Sequence, residues 1–502
     1  MTDIQASRTI EKADMIAGQV FRFGRAYHNT SRIVEWNPDA SVGKNPHVLI
    51  TGNSGSGKTT LLREVIRYLD HKAKILFVVD LHGDLGVPGV KENYIEITAR
   101  NPKYGINPFE FYQCPKNGGV GVQRENIVQI LKKSFITSMG PMQEKVLKQL
   151  ITDTYAKVGI LDNDVATWDN PLPTIKDMKE LMDTIFETIN TGFQFEFVKR
   201  FQHAGKQIEK LKKKIFFYQK DLDKTEEGNE EKPTDKVREK IGSLEDEIAE
   251  LVKELDAKWA AYKQYRLFGQ AGEGEGDESP IDLQFYSQKD ALRALETLSV
   301  YITALYETKV FHASVPPVAA GVNRFDISGL EHNVQVFFTD VLLQKVFRAK
   351  KLKGEYIKYP SRPRGAKTDT YVVIDESKLI LPTGKDKECP FQAMNRIAAE
   401  SRKYGLGLVL ASQKPNHYPH ELLTNIDLKV VLTTAPNDVP QAKKLLGIQD
   451  ENLFKHAERF GVAMISAAAK NFESVCLPWV DVQGWQKTVT LPAAANEIKA
   501  AI

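Results

Sequence analysis

HVLITGNSGSGKTT, residues 47–60, is the stretch that decides the fold of this 502-residue chain. The pattern G-x-x-x-x-G-K-[ST] is met by its glycines together with Lys58 and Thr59. An apolar, β-branched run precedes the glycines, and the residues after them carry apolar side chains at helical spacing. In such a strand–loop–helix unit, backbone N–H groups surround phosphate oxygens at the helix N-terminus, where the helix dipole favours anions. The alternative is a glycine-rich turn without a ligand, which does not require this flanking strand and helix.

The loop is therefore predicted to bind a nucleotide together with Mg²⁺. Lys58 should reach the β and γ phosphates, and the hydroxyl of Thr59 should take a position on Mg²⁺. The predicted nucleotide-binding residues are Gly52, Asn53, Ser54, Gly55, Ser56, Gly57, Lys58, Thr59 and Thr60.

A second stretch, TYVVIDE at residues 370–376, indicates hydrolysis. Its apolar run predicts a buried strand that carries Asp375 to its end, where the carboxylate would hold the Mg²⁺ water shell. Glu376 beside it can act as the general base that activates the attacking water. The alternative is an ordinary strand that ends in two acids. The Asp-Glu pair favours an ATPase over a GTPase or a kinase, and it predicts an extra strand between the two motif strands.

LGLVLASQ, residues 406–413, should be that extra strand. Gln413 at its end is a candidate sensor that hydrogen-bonds the γ-phosphate or the attacking water; a polar residue that merely follows the strand is the alternative. The helix predicted just upstream ends near Arg402 and Lys403. Taken alone, these two cations are equally well explained as compensation of the helix dipole.

The composition is nearly balanced, with 68 basic and 65 acidic residues and a net charge of +3. DNA contacts must therefore come from local loops rather than from bulk charge. The cysteines Cys114, Cys389 and Cys476 lack metal-like or disulfide-like spacing, which favours a reducing, cytoplasmic compartment. Neither a secretory leader nor an apolar run of membrane-spanning length is present, so we expect no export and no membrane insertion.

Short apolar strands separated by helices predict an α/β fold with a parallel, doubly wound sheet. The strands are expected at residues 74–80, 321–330, 370–376, 406–413, 428–434 and 461–466, and a hairpin is expected before residue 47. The predicted segments are a lead-in at 1–46, ATPase core at 47–112 and 320–480, a helical insertion at 113–319, and a tail at 481–502.

The insertion contains two runs of apolar residues with heptad spacing. A polar stretch with glycine and proline separates them, which predicts an antiparallel coiled-coil hairpin at about residues 205–262. Its charges would form a solvated face or, alternatively, an arm that contacts a partner or DNA. The heptad residues are Ile208, Leu211, Ile215 and Leu222 in the first run, and Val237, Ile241, Leu244, Ile248, Leu251 and Leu255 in the second.

Two loops at strand ends are candidates for non-specific grip on DNA phosphates, although solvated turns would look the same. DLHGD, residues 80–84, has side chains that could bind a metal in a nuclease, but no remaining nuclease residues accompany it. We expect instead a strand-end turn that shapes the nucleotide site or a subunit interface. The candidate DNA contacts are Arg362, Arg364 and Lys367 in one loop, and Lys385 and Lys387 in the other.

The segments HVLITGNSGSGKTT, VVDLHGD, INPFEF, FDISGL, VVIDES and AAESRKYGLGLVLASQKP together resemble the HerA and FtsK branch of P-loop ATPases, with HerA-type translocases the closest. The resemblance covers residues 47–112 and 320 to about 480, and ESRKYGLGLVLASQ is its most specific part. It implies a RecA-like core, a hexameric ring with ATP at the subunit interfaces, and duplex DNA in the pore. It also implies that Arg402 acts as an arginine finger on the ATP of the neighbouring subunit.

The chain departs from that family in two respects. HerA proteins begin with a small β-barrel that docks a nuclease, for which residues 1–46 are too short, and FtsK and conjugative coupling proteins carry membrane helices. The lead-in before Gly52 resembles HerA-like ATPases of bacterial restriction and phage-defence systems. The expected function is an ATP-driven DNA translocase that acts with a nuclease or another effector. The alternative is an ATP-gated hexameric scaffold that activates a partner without moving on DNA.

Overall fold

The chain groups into two compact units, one made of Met1–Met139 with Ala304–Ile502 and the other of Gly140–Thr303. Each unit is described here by itself. The computed structural model describes residues 16–17, 20–26, 33–38, 45–99, 103–136, 138–190, 193–227, 234–264, 281–354, 368–381, 393–414, 418–447, 462–467 and 471–476.

A large sheet forms the centre of the first unit. Its strands are β1 (Ile16–Ala17), β2 (Val20–Ala26), β3 (Ile33–Trp36), β4 (Val48–Thr51), β5 (Ile75–Asp80), β6 (Glu92–Glu96), β7 (Val322–Asp326), β8 (Thr370–Ile374), β9 (Leu406–Ser412), β10 (Leu428–Val431), β11 (Val462–Ala467) and β12 (Asn471–Cys476).

Helices occur in both units. They are α1 (Lys58–His71), α2 (Val120–Ser134), α3 (Pro141–Lys157), α4 (Ile175–Asn190), α5 (Phe193–Glu227), α6 (Thr234–Gln264), α7 (Leu283–Ser287), α8 (Lys289–Glu307), α9 (His332–Leu352), α10 (Ala393–Glu400), α11 (His420–Thr424) and α12 (Val439–Leu446). None of these described helices is long and apolar enough to cross a membrane.

The sheet has the strand order β1-β2-β12-β11-β10-β4-β9-β8-β5-β7-β6, with β3 paired to β2. All neighbouring pairs from β10 to β6 are parallel. The predicted α/β fold with a mostly parallel sheet is thus confirmed. The extra strand is also confirmed, because β9 lies between β4 and β8 and pairs with both. The carboxyl ends of β4, β9 and β8 consequently lie side by side.

The prediction for residues 461–466 was wrong about direction. β11 is antiparallel to β10 and to β12, so the sheet becomes antiparallel beyond β10. The apolar content of a strand determines how deeply it is buried, but not which way it runs. Only three residues, 468–470, separate β11 from β12, and so short a connection permits antiparallel pairing alone.

Strand β6 was not predicted. Its sequence ENYIE is mostly polar, and only Ile95 is buried, because β6 lies at the edge of the sheet and pairs on one side with β7. An edge strand buries fewer side chains than a central one, so hydrophobic pattern detects it poorly.

The core of the first unit lies between the central strands and α1. Buried side chains of β4, β5, β8, β9 and β10 pack with the apolar face of α1 in one cluster. His47, just before β4, is fully buried: its Nδ1 accepts the N–H of Leu408 at 3.0 Å and its Nε2 lies 3.1 Å from the carbonyl oxygen of Ala398. Burial lowers the pKa of this imidazole to about 4, so the neutral ring ties the start of β4 to β9 and α10.

The hairpin predicted before residue 47 is present, since β2 and β3 pair antiparallel. Phe21 and Phe23 of β2 are buried, and the rings of Phe21 and Trp36 lie 5.5 and 5.8 Å from the ring of Tyr68 on α1. The hairpin therefore covers one side of the helix that follows the glycine-rich loop.

The described elements of the second unit, Gly140–Thr303, are helices. The range 113–319 of the insertion stays a prediction. Helix α2 falls in the first unit, where the ammonium of Lys133 lies 2.6 Å from the carboxylate of Asp340 on α9 and both side chains are buried. Within the second unit, the hydroxyl of Tyr286 donates to the buried carboxylate of Asp153 at 2.7 Å, which joins α7 to α3.

Helices α5 and α6 are the longest of the described helices and pack against each other. Residues 214–218 of α5 lie beside residues 240–244 of α6, and the ammonium of Lys240 lies 5.9 Å from the centroid of the Tyr218 ring. The antiparallel direction of the two helices stays a prediction. The heptad residues Leu211 and Ile215 are buried, as a helix–helix seam requires. Coiled-coil supercoiling stays a prediction, and the tip between residues 228 and 233 lies outside the described residues.

Candidate nucleotide-binding site

The glycine-rich loop leaves β4 and enters α1 within a few residues. Gly55 and Gly57 have φ values of 76° and 94°, in the left-handed region that glycine adopts without strain. A Cβ on Gly52 would lie 2.6 Å from the Ser56 hydroxyl and 2.7 Å from the Cβ of Leu432 on the neighbouring connection, so no larger residue fits there. The pattern of glycines is therefore required by the backbone path, and the predicted residues Gly52–Thr60 form one continuous cradle.

The side chain of Lys58 lies inside the glycine-rich loop. Its side chain is buried, and its ammonium donates hydrogen bonds of 2.9 Å to the carbonyl oxygens of Gly52 and Asn53. Burial lowers the pKa of Lys58, whereas the nearby carboxylates of Glu376 and Asp375 raise it. An ammonium has three N–H groups, so one stays available for a phosphate oxygen. The hydroxyl of Ser56 is also buried without a hydrogen-bond partner among the described residues, which fits a loop shaped for a ligand.

Thr59 and Asp375 come together although they are far apart in sequence. The Thr59 hydroxyl donates to Asp375 Oδ2 at 3.2 Å. Burial raises the pKa of Asp375, and the adjacent Glu376 and Asp84 carboxylates raise it further, while the Glu376 N–H and the Thr59 hydroxyl lower it. Hydroxyl and carboxylate oxygens are the ligands that Mg²⁺ prefers, usually together with water and phosphate. The structure thus brings together the two residues predicted to hold the metal.

Glu376 has an unusual backbone conformation. Its φ and ψ of 50° and 41° are left-handed, which is uncommon for a residue other than glycine, and such strain is frequent at functional sites. The side chain is buried, and the Lys378 ammonium lies 2.7 Å from its Oε1. The Glu376 N–H donates to Asp375 Oδ1 at 2.8 Å, so both acids are held in a fixed arrangement.

A buried hydroxyl network connects the ends of β8 and β9. Ser377 donates to the Ala411 carbonyl oxygen at 2.8 Å, and its hydroxyl lies 2.6 Å from the hydroxyl of Tyr418. Tyr418 also hydrogen-bonds the Ser412 side chain, and burial raises its pKa, so the phenol stays neutral. Gln413, the predicted sensor, follows Ser412 directly and is half-buried. Sequence analysis missed Tyr418 because no local pattern links it to the strands it joins.

Arg402 lies at the amino ends of the parallel strands, on the side of the sheet opposite the glycine-rich loop. It belongs to a 3₁₀ turn, Ser401–Tyr404, that precedes β9, and its side chain is exposed. Strand β9 has 7 residues, and at about 3.3 Å per residue it separates Arg402 from the glycine-rich loop by roughly 20 Å. The structure therefore does not bring Arg402 to the loop of its own chain. Lys403 next to it lies over the ring of Tyr404, with its ammonium 5.1 Å from the ring centroid.

Comparisons with known proteins agree with this geometry, although no protein-family model matches the chain. The DNA double-strand break repair helicase HerA of Pyrococcus furiosus is 27% identical over 135 residues, which are 22% of this chain and 24% of that protein. The probable HerA helicase of Methanocaldococcus jannaschii is 26% identical over 179 residues, 31% of this chain and 35% of the relative. The structure of VirB4 of Thermoanaerobacter pseudethanolicus matches with a TM-score of 0.55 and 12% identity, over 93% of this chain and 98% of that one.

These matches support the assignment of the chain to the HerA–FtsK superfamily of P-loop ATPases. The resemblance deduced from the motif segments is confirmed at that level. The matched stretches span only about a quarter to a third of the length of the two HerA helicases, 24% and 35%. The VirB4 match, at 12% identity, shows a shared fold alone.

The DLHGD turn is held together by the carboxylate of Asp80. Asp80 accepts the N–H groups of Gly83 at 2.7 Å and Leu85 at 3.0 Å, and it also accepts from the Arg324 guanidinium at 3.0 Å. Among the described residues, no three histidine, cysteine or acidic side chains are placed to hold a metal. Asp84 lies close enough to Asp375 to raise its pKa. The role of this strand-end turn stays a prediction.

The residues predicted to grip DNA cannot be placed. Arg362, Arg364, Lys367, Lys385 and Lys387 all lie outside the described residues. Their role stays a prediction.

Proposed function

We propose that this P-loop ATPase hydrolyses ATP with Mg²⁺ and uses the energy to move on duplex DNA as a ring-forming motor of the HerA type. The observation that carries the proposal is the joint placement of Lys58, Thr59, Asp375 and Glu376 at the carboxyl ends of β4 and β8, which flank β9. Two independent motifs meet there, one suited to phosphate and one to metal and water.

Each residue has a distinct task in the proposed reaction. The loop N–H groups and Lys58 hold the phosphates, and Thr59 and Asp375 hold the metal directly or through its water. Mg²⁺, when bound, offsets negative charge on the phosphate oxygens. Glu376 accepts a proton from the water that attacks the γ-phosphorus, and ADP is the leaving group. Gln413, at the end of β9, hydrogen-bonds the γ-phosphate or that water.

The proposed assembly is a homo-oligomeric ring, most simply a hexamer. Arg402 is exposed at the sheet edge opposite its own glycine-rich loop, so it can complete a nucleotide site only on a neighbouring chain. Duplex DNA is the proposed track, because the two relatives reported above are named as DNA double-strand break repair helicases. A nuclease or other effector acting with the ring, in DNA processing or phage defence, completes the proposal.

The test compares ATP turnover of the parent chain and of Glu376→Gln, each with and without duplex DNA. The amide keeps the shape of Glu376 but cannot accept a proton, so Glu376→Gln should bind ATP and hydrolyse it at least about 100-fold more slowly. Lys378→Gln is the matched control, since it alters the neighbouring side chain and should leave measurable turnover. Duplex DNA should stimulate the parent. Turnover that responds to no DNA would reject the motor and favour the ATP-gated scaffold.

A further inference from the structure

Helix α5, in the second unit, carries two adjacent exposed aromatic rings. Phe216 and Phe217 are 62% and 66% exposed, and their ring centroids lie 6.2 Å apart. The buried residues of this stretch of α5 are Leu211 and Ile215, whereas the exposed Phe217 borders a groove that is also lined by Lys240, Ser243 and Leu244 of α6. Large apolar side chains exposed side by side on a surface commonly mark a binding site.

Phe217 lies in a row of lysines. Counting back from Phe217, Lys213, Lys210 and Lys206 follow at alternate spacings of four and three residues, and Lys220 continues the row on the other side. Residues at these spacings occupy one face of a helix. All of them are exposed, and the row from 206 to 220 is about 21 Å long at 1.5 Å per residue. We call Lys206, Lys210, Lys213, Phe217 and Lys220 together the basic row.

The charge of this helix face is strongly one-sided. Between positions 203 and 220, α5 has one acidic residue, Glu209, whose contact with Lys213 at 3.0 Å is an exposed pair of little energetic weight. Lys212 and Lys214 add further exposed cations beside the row. Over their full lengths α5 has six acidic residues and α6 has eight, and those of α5 other than Glu209 lie outside this stretch.

We propose that the basic row, together with Phe216, binds single-stranded nucleic acid. Lysines along a helix neutralise successive phosphates, and exposed aromatic rings stack on unpaired bases without sequence preference. The bases of a duplex are stacked inside and cannot reach these rings. An acidic protein surface would pair with the lysines and leave both rings in water. An anionic membrane would need a broad apolar face, whereas this row alternates cations with one ring. The activity goes beyond the proposed motor and requires no ATP.

The charge test measures binding of fluorescein-labelled dT20 to the full chain by anisotropy over a series of salt concentrations. Lys206→Glu/Lys210→Glu/Lys213→Glu should weaken binding at least about 10-fold and reduce the slope of log K against log salt by about 2, since each phosphate contact on a single strand contributes about 0.7. The matched control is Lys236→Glu/Arg238→Glu/Lys253→Glu, which makes the same change of charge on α6 and should alter affinity less than about 2-fold. Circular dichroism checks that both variants keep their helix content.

The stacking test replaces the rings but keeps apolar bulk. Phe216→Leu/Phe217→Leu should weaken dT20 binding about 5- to 100-fold, because base–aromatic stacking is lost. Val252→Ala, which changes an exposed apolar residue of α6, is the control and should bind as the parent does. Photo-crosslinking with 5-iodouracil in dT20 should label residues within 206–220. A parallel series with rU20 distinguishes DNA from RNA as the bound strand.

Several results would overturn the proposal: equal affinity of the α5 variants and the parent, an equal loss in the α6 control, or cross-links only elsewhere. Binding of a 20-base-pair duplex as tightly as dT20, with no effect of the leucine variant, would show phosphate contact without stacking. Binding to phosphatidylserine vesicles but not to dT20 would identify a membrane surface instead. Lys58→Ala should bind dT20 normally, so loss of ATPase activity and loss of this site are separable.

Discussion

The two ends of β9 differ in how much chemistry a single chain supplies. At the carboxyl end, Ser412 joins Tyr418 and Ser377 in a buried hydroxyl network, and Ser377 directly follows Asp375 and Glu376 in the chain. At the amino end, Arg402 is exposed on a 3₁₀ turn. The groups at the carboxyl end are held in place within one chain before a ligand binds, whereas the amino end exposes a cation.

Because of this difference, one chain supplies the groups at the carboxyl end of β9, whereas the proposed role of Arg402 needs a neighbouring chain. Groups that stabilise a transition state work best when they are held in place beforehand, because no reorganisation is then needed during the reaction. The buried network satisfies that condition within one chain. Arg402 cannot reach the same phosphates across a strand roughly 20 Å long, so its proposed contribution depends on assembly. The following predictions test that contrast.

The largest effect is expected for Lys58→Ala at the carboxyl end. The ammonium contacts carbonyl oxygens of the loop and, in the proposed reaction, phosphate, so its loss should reduce ATP turnover by more than about 100-fold. ATP turnover and nucleotide binding are measured on the purified chain. Lys72→Ala, at the other end of α1, is the control and should keep turnover within about 2-fold. Unchanged turnover in Lys58→Ala would show that the loop is not the nucleotide site.

Arg402→Ala should slow hydrolysis by roughly 10³-fold while ATP binding stays normal, because arginine fingers are worth that much or more in GTPases. Lys403→Ala, which removes the neighbouring cation, should have a much smaller effect. Parental turnover in Arg402→Ala would leave helix-dipole compensation as the role of this residue.

Mixing Lys58→Ala chains with Arg402→Ala chains tests whether Arg402 acts on the nucleotide site of a neighbouring chain. A ring of Lys58→Ala and Arg402→Ala chains contains interfaces where an intact loop meets an intact arginine, so some turnover should return. Pull-down of one tag through the other verifies that mixed assemblies form. Mixed assemblies without any activity would mean that Arg402 acts within its own chain or that every site must be intact.

Tyr418→Phe should have an intermediate effect. It removes one hydroxyl from the network behind Glu376 and Gln413 but keeps the packed ring, so kcat should fall about 3- to 10-fold. Steady-state kinetics should show KM for ATP within about 2-fold of the parent, because no phosphate contact is lost. Tyr371→Phe changes another fully buried tyrosine, on β8, and controls for general destabilisation. An equal fall in both variants would argue against a positioning role of Tyr418.

Asp153→Asn should affect stability without affecting turnover. Burial raises the pKa of Asp153 to about 6, whereas the unfolded value is about 3.8, so the folded chain disfavours the ionised form. The cost is absent well below pH 3.8, grows as the pH rises, and is complete above about 6. The variant should raise the free energy of unfolding by roughly 2–3 kcal/mol at pH 7.5 and by about 1 kcal/mol at pH 4.5.

Urea unfolding at the two pH values measures this difference. Asp169→Asn, at an exposed position of the same unit, is the control and should change stability by less than about 0.5 kcal/mol at either pH. A gain from Asp153→Asn that does not depend on pH would contradict the assignment to ionisation.

Local sequence determined the elements whose chemistry depends on neighbours in the chain. The glycines of the loop, Lys58 and Thr59 had to be adjacent because one turn of backbone surrounds the phosphates. Asp375 and Glu376 were recognisable because a buried strand ends there. The placement of β9 between β4 and β8 also followed from the Asp-Glu pair and the apolar run before Gln413.

Tertiary structure alone decided what depends on residues distant in sequence. Pairing in the sheet places β11 antiparallel to β10, and the edge position of β6 leaves few of its side chains buried, so hydrophobic pattern does not detect it. The hydroxyl of Tyr418 lies next to that of Ser377, although 41 positions separate them in sequence. Only the pairing of β9 in the sheet places the exposed Arg402 at the strand ends opposite the glycine-rich loop. Periodicity reports which face of an element is buried, because burial is a property of single side chains; which buried groups touch depends on how the elements pack.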